Sequence, residues 1–266
     1  MINLDINRYR NLVLDEDDGV LTCTLTRPSV LNAMDTATFA ELQAMFSSLV
    51  NDNSIRVLVL TGAGRAFSAG GDLKEMVNGL PARSWPGAGI TENIQYVQAL
   101  LSIPQPVIAS VNGDAVGAGA SLALFSDVII AAESARFGDP HVRLGLVPSD
   151  GPIIWSLLLG LNRAKEYLLT GNLMSAREAY RLGLVNHVCA DEELVGMTAR
   201  IARELAGGAT AAIRWTKESL NRLLWQRSNL MLDVASVLSE LSMQTQDYRT
   251  GVESKVKKSS PVFHGQ

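Results

Sequence analysis

The chain has 266 residues, 47 % hydrophobic and 19 % charged, a composition that supports a sizeable core in a globular protein. A formal net charge of −4 offers no basic face to offset phosphates, which argues against a nucleic-acid partner. Cys23 and Cys189 lie far apart with no C-x-x-C spacing, so neither a disulfide framework nor a zinc site is expected. The opening Met1-Ile-Asn-Leu-Asp5 lacks a basic-then-apolar leader and the apolar runs are too short to span a membrane, so the expectation is a cytoplasmic protein.

In chain order, Tyr9 to Leu14 and Val20 to Thr26 alternate as strands around Asp17-Asp18-Gly19, a hairpin signal, and Arg27-Pro28 stops the second strand. Asp35 is placed to cap an amphipathic helix in which Phe39, Leu42, Met45, Phe46 and Leu49 share a face. Val57 to Leu60 then reads as a buried strand. Gly62, Ala63, Gly64, Gly70 and Gly71 follow it, and Asp72 stands as the cap of a helix from Leu73 to Val77. A strand, glycine turn and helix start leave unpaired backbone N–H groups that favour negative charge. A dinucleotide fingerprint would need glycine at position 67, which is Phe67, and no P-loop lysine follows. Residues 79 to 90, rich in Gly and Pro with one Trp, read as a mobile loop able to line a pocket.

A second unit repeats this logic: a strand at Pro106 to Val111, the small-residue stretch Asn112 to Ala120, and a helix from about Ser121. Two turns that bare N–H groups at helix starts can make an oxyanion hole, worth roughly 2.7–4 kcal/mol per donor. A strand at Asp127 to Ala131 leads to Phe137-Gly-Asp-Pro-His141 and on to Gly145-Leu-Val-Pro-Ser-Asp150. From Ile153 the pattern is helical, interrupted by a short strand at Leu184 to Val188. Helices near 191–206, 210–225 and 228–248 carry apolar faces that include Leu220, Leu223, Leu224, Leu230, Leu238 and Leu241, a place for oligomer contacts. The expected division is a mixed strand-and-helix core, 1–200, and a C-terminal helical oligomerisation region, 201–266.

Arg27-Pro-Ser-Val-Leu-Asn-Ala-Met34, Phe67-Ser-Ala-Gly-Gly-Asp-Leu73, Val111-Asn-Gly-Asp-Ala-Val-Gly-Ala-Gly119, Gly145-Leu-Val-Pro148 and the closing Pro261-Val-Phe263 resemble the crotonase (enoyl-CoA hydratase/isomerase) superfamily in order and nearly throughout. The resemblance implies a ββα-spiral core with a helical C-terminal region, a homotrimer or dimer of trimers, and acyl-CoA thioester substrates. It also implies an enolate held in an oxyanion hole, with coenzyme A present only as part of the substrate and no metal or redox cofactor. By position, the hole's donors are the N–H groups of Gly71 and Ala118. The CoA adenine would lie along Ser68, Ala69 and Gly70 and near Leu31 to Ala33, and Arg65 and Lys74 match positions that meet CoA phosphates.

The departures are at the acid/base positions. Hydratases of this family use two glutamates, where this chain has Ser121 and His141. His141 followed by Asp150 resembles the His–Asp pair of the superfamily's β-diketone hydrolases, although those carry a further histidine where this chain has Ala118. An imidazole is a useful base near neutral pH, and a carboxylate on its other nitrogen fixes the tautomer. Hydration of an enoyl-CoA with His141 as acid/base and Asp150 orienting it is the leading expectation, and retro-Claisen cleavage of a β-dicarbonyl compound is the alternative. Ser121 packs or hydrogen-bonds in the pocket. Two other classes stay open: a serine hydrolase built on Ser121, Asp150 and His187, and a CoA-binding protein that has lost its acid and base.

Overall fold

A computed structural model describes residues 8–78 and 90–265. The hairpin forms as expected, β1 (Leu12–Asp17) pairing antiparallel with β2 (Val20–Leu25) around Asp18-Gly19. Asp35 caps α1 (Thr36–Leu49) by accepting from the Thr38 N–H at 2.8 Å, and α1 buries Leu42, Met45, Phe46 and Leu49. The chain continues through β3 (Val57–Gly62), β4 (Ala66–Ser68) and α2 (Leu73–Asn78). After α3 (Ile90–Leu101) come β5 (Val107–Val111), β6 (Asp114–Val116) and α4 (Ala118–Leu124). Next are β7 (Val128–Ala132), β8 (Arg136–Gly138), a 3-10 turn at His141–Leu144, α5 (Gly151–Leu159) and α6 (Leu161–Thr170). The remainder is β9 (Met174–Ser175), α7 (Ala176–Arg181), β10 (His187–Cys189), α8 (Leu194–Ala206), α9 (Thr210–Met243) and α10 (Gln246–Val256).

Among the described residues two sheets form, one in the order β1-β2-β3-β5-β7-β10 and one in the order β4-β6-β8-β9. The alternation of side chains along the central strands explains their unbroken apolar sequence. Leu58 and Leu60 of β3 join the large core with α1 and α3, whereas Val57 and Val59 point to the opposite face, against α8. Ile108 of β5 and Ile130 of β7 join the same α8 layer. Parallel strands covered on both faces need apolar residues at every position. Each central strand then hands the chain to the smaller sheet: β3 to β4, β5 to β6, β7 to β8. Because β4, β6 and β8 run parallel, their carboxyl ends emerge side by side. This is the place an α/β fold offers for a ligand.

Several expectations need correction. The two helices at 210–225 and 228–248 are one helix, α9, followed by α10. No Gly or Pro interrupts 210–243, and the break falls instead where Thr245 caps α10. The helix placed at Ser121 begins three residues earlier, at Ala118, and β9 was not foreseen. The division at residue 200 cuts through α8, which packs against β2, β3, β5 and β7. On α9 the buried positions are largely polar or small (Lys217, Asn221, Ser228, Ser236, Ser239), while Leu220, Leu223, Leu230, Leu238 and Leu241 face outward. The loop expected at 79–90 lies outside the described residues except at Ile90, the first residue of α3. No described helix is long and apolar enough to cross a membrane.

Candidate active site

The two glycine-bearing bends meet. Gly70 has φ +87°, a conformation that disfavours any side chain, and a Cβ there would lie 2.6 Å from the Val116 carbonyl oxygen and 3.4 Å from the Ala118 nitrogen. The first bend is also stitched to the loop before α1: Ala69 N–H donates to Leu31 O at 2.9 Å, Met34 N–H to Gly70 O at 2.7 Å, and Asp72 N–H to Met34 O at 3.0 Å. Leu31 and Asn32 both have positive φ, which turns the Leu31 carbonyl to Ala69. Ser68 is fully buried and its hydroxyl donates to Asn32 O at 2.8 Å. The structure therefore brings Leu31, Ala33, Ser68, Ala69 and Gly70 into one seam. Arg65 and Lys74 are exposed, and no ion pair holds either side chain among the described residues. Asp72 caps α2 through the Lys74 N–H at 2.9 Å and pairs with Arg27 at 3.0 Å.

Among the described residues neither the Gly71 nor the Ala118 N–H donates to a protein acceptor. In the second bend the Gly117 N–H donates to Gly138 O at 2.9 Å, which ties the start of α4 to the end of β8. A Cβ built on Gly117 would sit 3.4 Å from His141 Cε1 and 3.9 Å from Nε2, so the imidazole stands directly beside the residue preceding Ala118.

The side-chain wall departs from expectation at one point. His141 Nδ1 is hydrogen-bonded to Asp139 Oδ1, and Asp150 makes no hydrogen bond to the ring. The cause is local. Asp139 precedes Pro140, which carries the chain into the 3-10 turn, and the His141 N–H also reaches Asp139 Oδ1 at 3.3 Å. One carboxylate oxygen thus holds both the backbone and the ring of the residue two positions on. Asp139 is fully buried and its Oδ2 has no hydrogen-bond partner among the described residues, whereas the His141 side chain keeps 20 % exposure. Burial alone would lower the imidazole, but the charge and hydrogen bond of Asp139, with the charge of Asp150, lift it above its ordinary value.

Asp150 lies deeper. Its Oδ2 is 3.5 Å from the Tyr96 hydroxyl, which in turn lies 3.4 Å from the Ala118 carbonyl. Burial and the neighbouring Asp139 charge push the Asp150 carboxyl up, partly offset by a hydrogen bond from Ser121 and the charge of His141. Ser121 is buried on α4, and no hydrogen bond joins it to His187, which is exposed on β10, so the serine-hydrolase triad is not assembled. Sequence reasoning missed Asp139 and Tyr96. The Asp-Pro-His spacing was a usable signal for the first; Tyr96 looked like any core aromatic on a helix.

A family profile described as "Enoyl-CoA hydratase/isomerase" matches residues 15–266. The chain is 38 % identical over 255 residues to the 1,2-epoxyphenylacetyl-CoA isomerase of Escherichia coli, covering 94 % of this chain and 97 % of the relative. It is 36 % identical to the short-chain-enoyl-CoA hydratase of Clostridium acetobutylicum, covering 80 % of this chain and 81 % of the relative. The crystal structure of an enoyl-CoA hydratase/isomerase from Mycobacterium paratuberculosis superposes with a TM-score of 0.88 at 36 % identity, covering 93 % of this chain and 99 % of that one. With a matching profile over nearly its whole length, relatives of similar extent, and three parallel strand ends opening on two free amides and a histidine, the chain belongs to the enoyl-CoA hydratase/isomerase family, the crotonase superfamily, and has its fold.

Proposed function

We propose that the protein hydrates an enoyl-CoA, and dehydrates the product, through a thioester enolate held by the Gly71 and Ala118 N–H groups, with His141 as acid/base. The observation that carries this reading is the pair of undonated amides on bends in contact with one another, with the imidazole beside them. Two fixed donors favour charge as it develops on the thioester oxygen. Asp139 holds Nδ1, which leaves Nε2 to exchange a proton with water. The seam of Leu31 to Ala33 with Ser68 to Gly70, flanked by exposed Arg65 and Lys74, is the cradle we assign to coenzyme A, with no metal or redox group in the reaction. The outward ridge of leucines on α9 is the surface we assign to homotrimer or hexamer contacts.

The retro-Claisen alternative rested on a His141–Asp150 pair; His141 is paired with Asp139 instead, and hydration is favoured. The test is turnover of crotonyl-CoA, a longer enoyl-CoA and a cyclic β-diketone by wild type and His141→Ala. Hydration of an enoyl-CoA that falls roughly 10²–10⁴-fold in the variant is the expected result. Equal rates in both proteins would remove His141 from the chemistry. CoA binding without turnover of any thioester would make this a binding protein.

A further inference from the structure

Resting on that reading, we infer that Asp150 is a second proton station, distinct from the His141–Asp139 pair, and that Tyr96 is the positioning residue that ties it to the oxyanion peptide. His141 has its own carboxylate, so Asp150 is not needed to orient it. Asp150 is buried, and its carboxyl lies 3.5 Å from the Tyr96 hydroxyl. That same hydroxyl reaches back 3.4 Å to the carbonyl of Ala118, the residue whose N–H faces the thioester oxygen. One buried phenol therefore spans an acid and an oxyanion donor.

The titratable and polar groups facing Asp150 are Tyr96 from α3, Ser121 from α4, and Asp139 and His141 from the segment after β8. Burial and Asp139 favour the neutral carboxyl, the form that can give a proton away. In hydration, His141 takes a proton from water as the oxygen bonds to Cβ. The C=C electron pair moves into the thioester to give the enolate, and the Asp150 carboxyl delivers its proton to Cα as the carbonyl reforms. The His141 imidazolium and Asp150 carboxylate then return to their starting states by proton exchange with solvent, so the net change is one water added.

The two stations separate experimentally because exchange at Cα needs only one of them. Wild type, His141→Ala and Asp150→Asn are incubated with butyryl-CoA in deuterated water, and with crotonyl-CoA for hydration. Wild type is expected to do both. His141→Ala should lose hydration but keep Cα deuteration within about threefold, while Asp150→Asn should lose both by roughly 10²–10⁴-fold. Deuteration that survives in Asp150→Asn and vanishes in His141→Ala overturns the assignment, while a wild type inactive on every thioester overturns the functional reading beneath it. Should Asp150→Asn not fold, Ser121→Ala and Tyr96→Phe decide. Ser121 lowers the Asp150 carboxyl, so its removal should move the alkaline limb of kcat upward. Tyr96→Phe should reduce kcat with KM unchanged. An unmoved limb together with an unchanged kcat overturns the proposal.

Discussion

The site has a backbone half and a side-chain half, and they are built differently. The backbone half, Gly70-Gly71 and Gly117-Ala118, is fixed by strand register: β4 and β6 are paired neighbours, so the bends that leave them must touch. The side-chain half, Asp139, His141 and Asp150, hangs on a proline, a 3-10 turn and the first turn of α5. Geometry in the first half is enforced by main-chain hydrogen bonding over several elements. In the second it depends on which oxygen a single ring happens to face. Strand pairing alone can thus hold two amides in place, while the side chains beside them depend on one local turn.

Asp139→Asn attacks the weaker half and should have the largest effect. It removes the carboxylate charge facing Nδ1 and presents either an amide oxygen or an N–H to the ring, allowing the wrong tautomer. The expected loss in kcat approaches 10⁴-fold at most. Because Asp139 raises the imidazole, its removal also lowers that group, and an acid limb set by neutral His141 should move to lower pH. A pH–rate profile measures both. An unmoved limb would mean that His141 is not the group titrating. Gly70→Ala attacks the stronger half. The added Cβ meets the Val116 carbonyl at 2.6 Å in a positive-φ residue, so the two bends must part. Loss of one donor's alignment should cost roughly 10²–10³-fold in kcat, with the pH profile unmoved. The contrast between a moved and an unmoved profile is the sharpest check on the division.

Those two halves differ equally in how far the sequence disclosed them. Gly70 and Gly119 are visible because backbone that approaches backbone tolerates little else, Gly117 because its φ of +54° disfavours a side chain, and the β3 and β5 runs announce buried parallel strands. Asp139 was hidden by competition: a carboxylate two residues from His141 and another nine residues away are equally plausible partners until the turn is known. Tyr96 was hidden because its ring does pack in the core, with Phe39 at 5.2 Å between ring centroids, and only its hydroxyl reaches the site. The α9 helix was misdivided because its outward leucines and inward polar residues invert the usual pattern. Lys217 is the clearest case, its ammonium buried against the Gln105 carbonyl at 2.8 Å and Asp127 at 2.7 Å.

Lys217 also supplies a control that belongs to neither half. Among the described residues, Lys217→Met leaves Asp127 with only the Val107 N–H and should cost about 3 kcal/mol of stability, the low end for a broken buried pair because Asp127 keeps 24 % exposure. Activity per folded molecule and both pH limbs should stay as in wild type. A changed pH profile would mean that the frame and the side-chain wall are coupled, and the comparison would need redrawing.

The smallest effect is the most telling, because its sign is opposite to that of most substitutions. The folded Asp150 carboxyl is raised above its unfolded value, chiefly by burial and then by Asp139. A carboxyl shifted that way contributes stability below its unfolded value, and the contribution is lost as pH rises through the folded one. Above that folded value the ionised group weighs against the native state. Asp150→Asn removes the ionisable group at nearly constant volume, so its advantage in melting temperature over wild type should grow as pH rises, while its activity is lost. The advantage should vanish in acid, where both chains are neutral at this position. Thermal melts of the pair at pH 4 and pH 7 check it. An Asn variant that is less stable at both values would mean that Asp150 is a structural partner of Tyr96 and Ser121 and not a strained acid kept for chemistry.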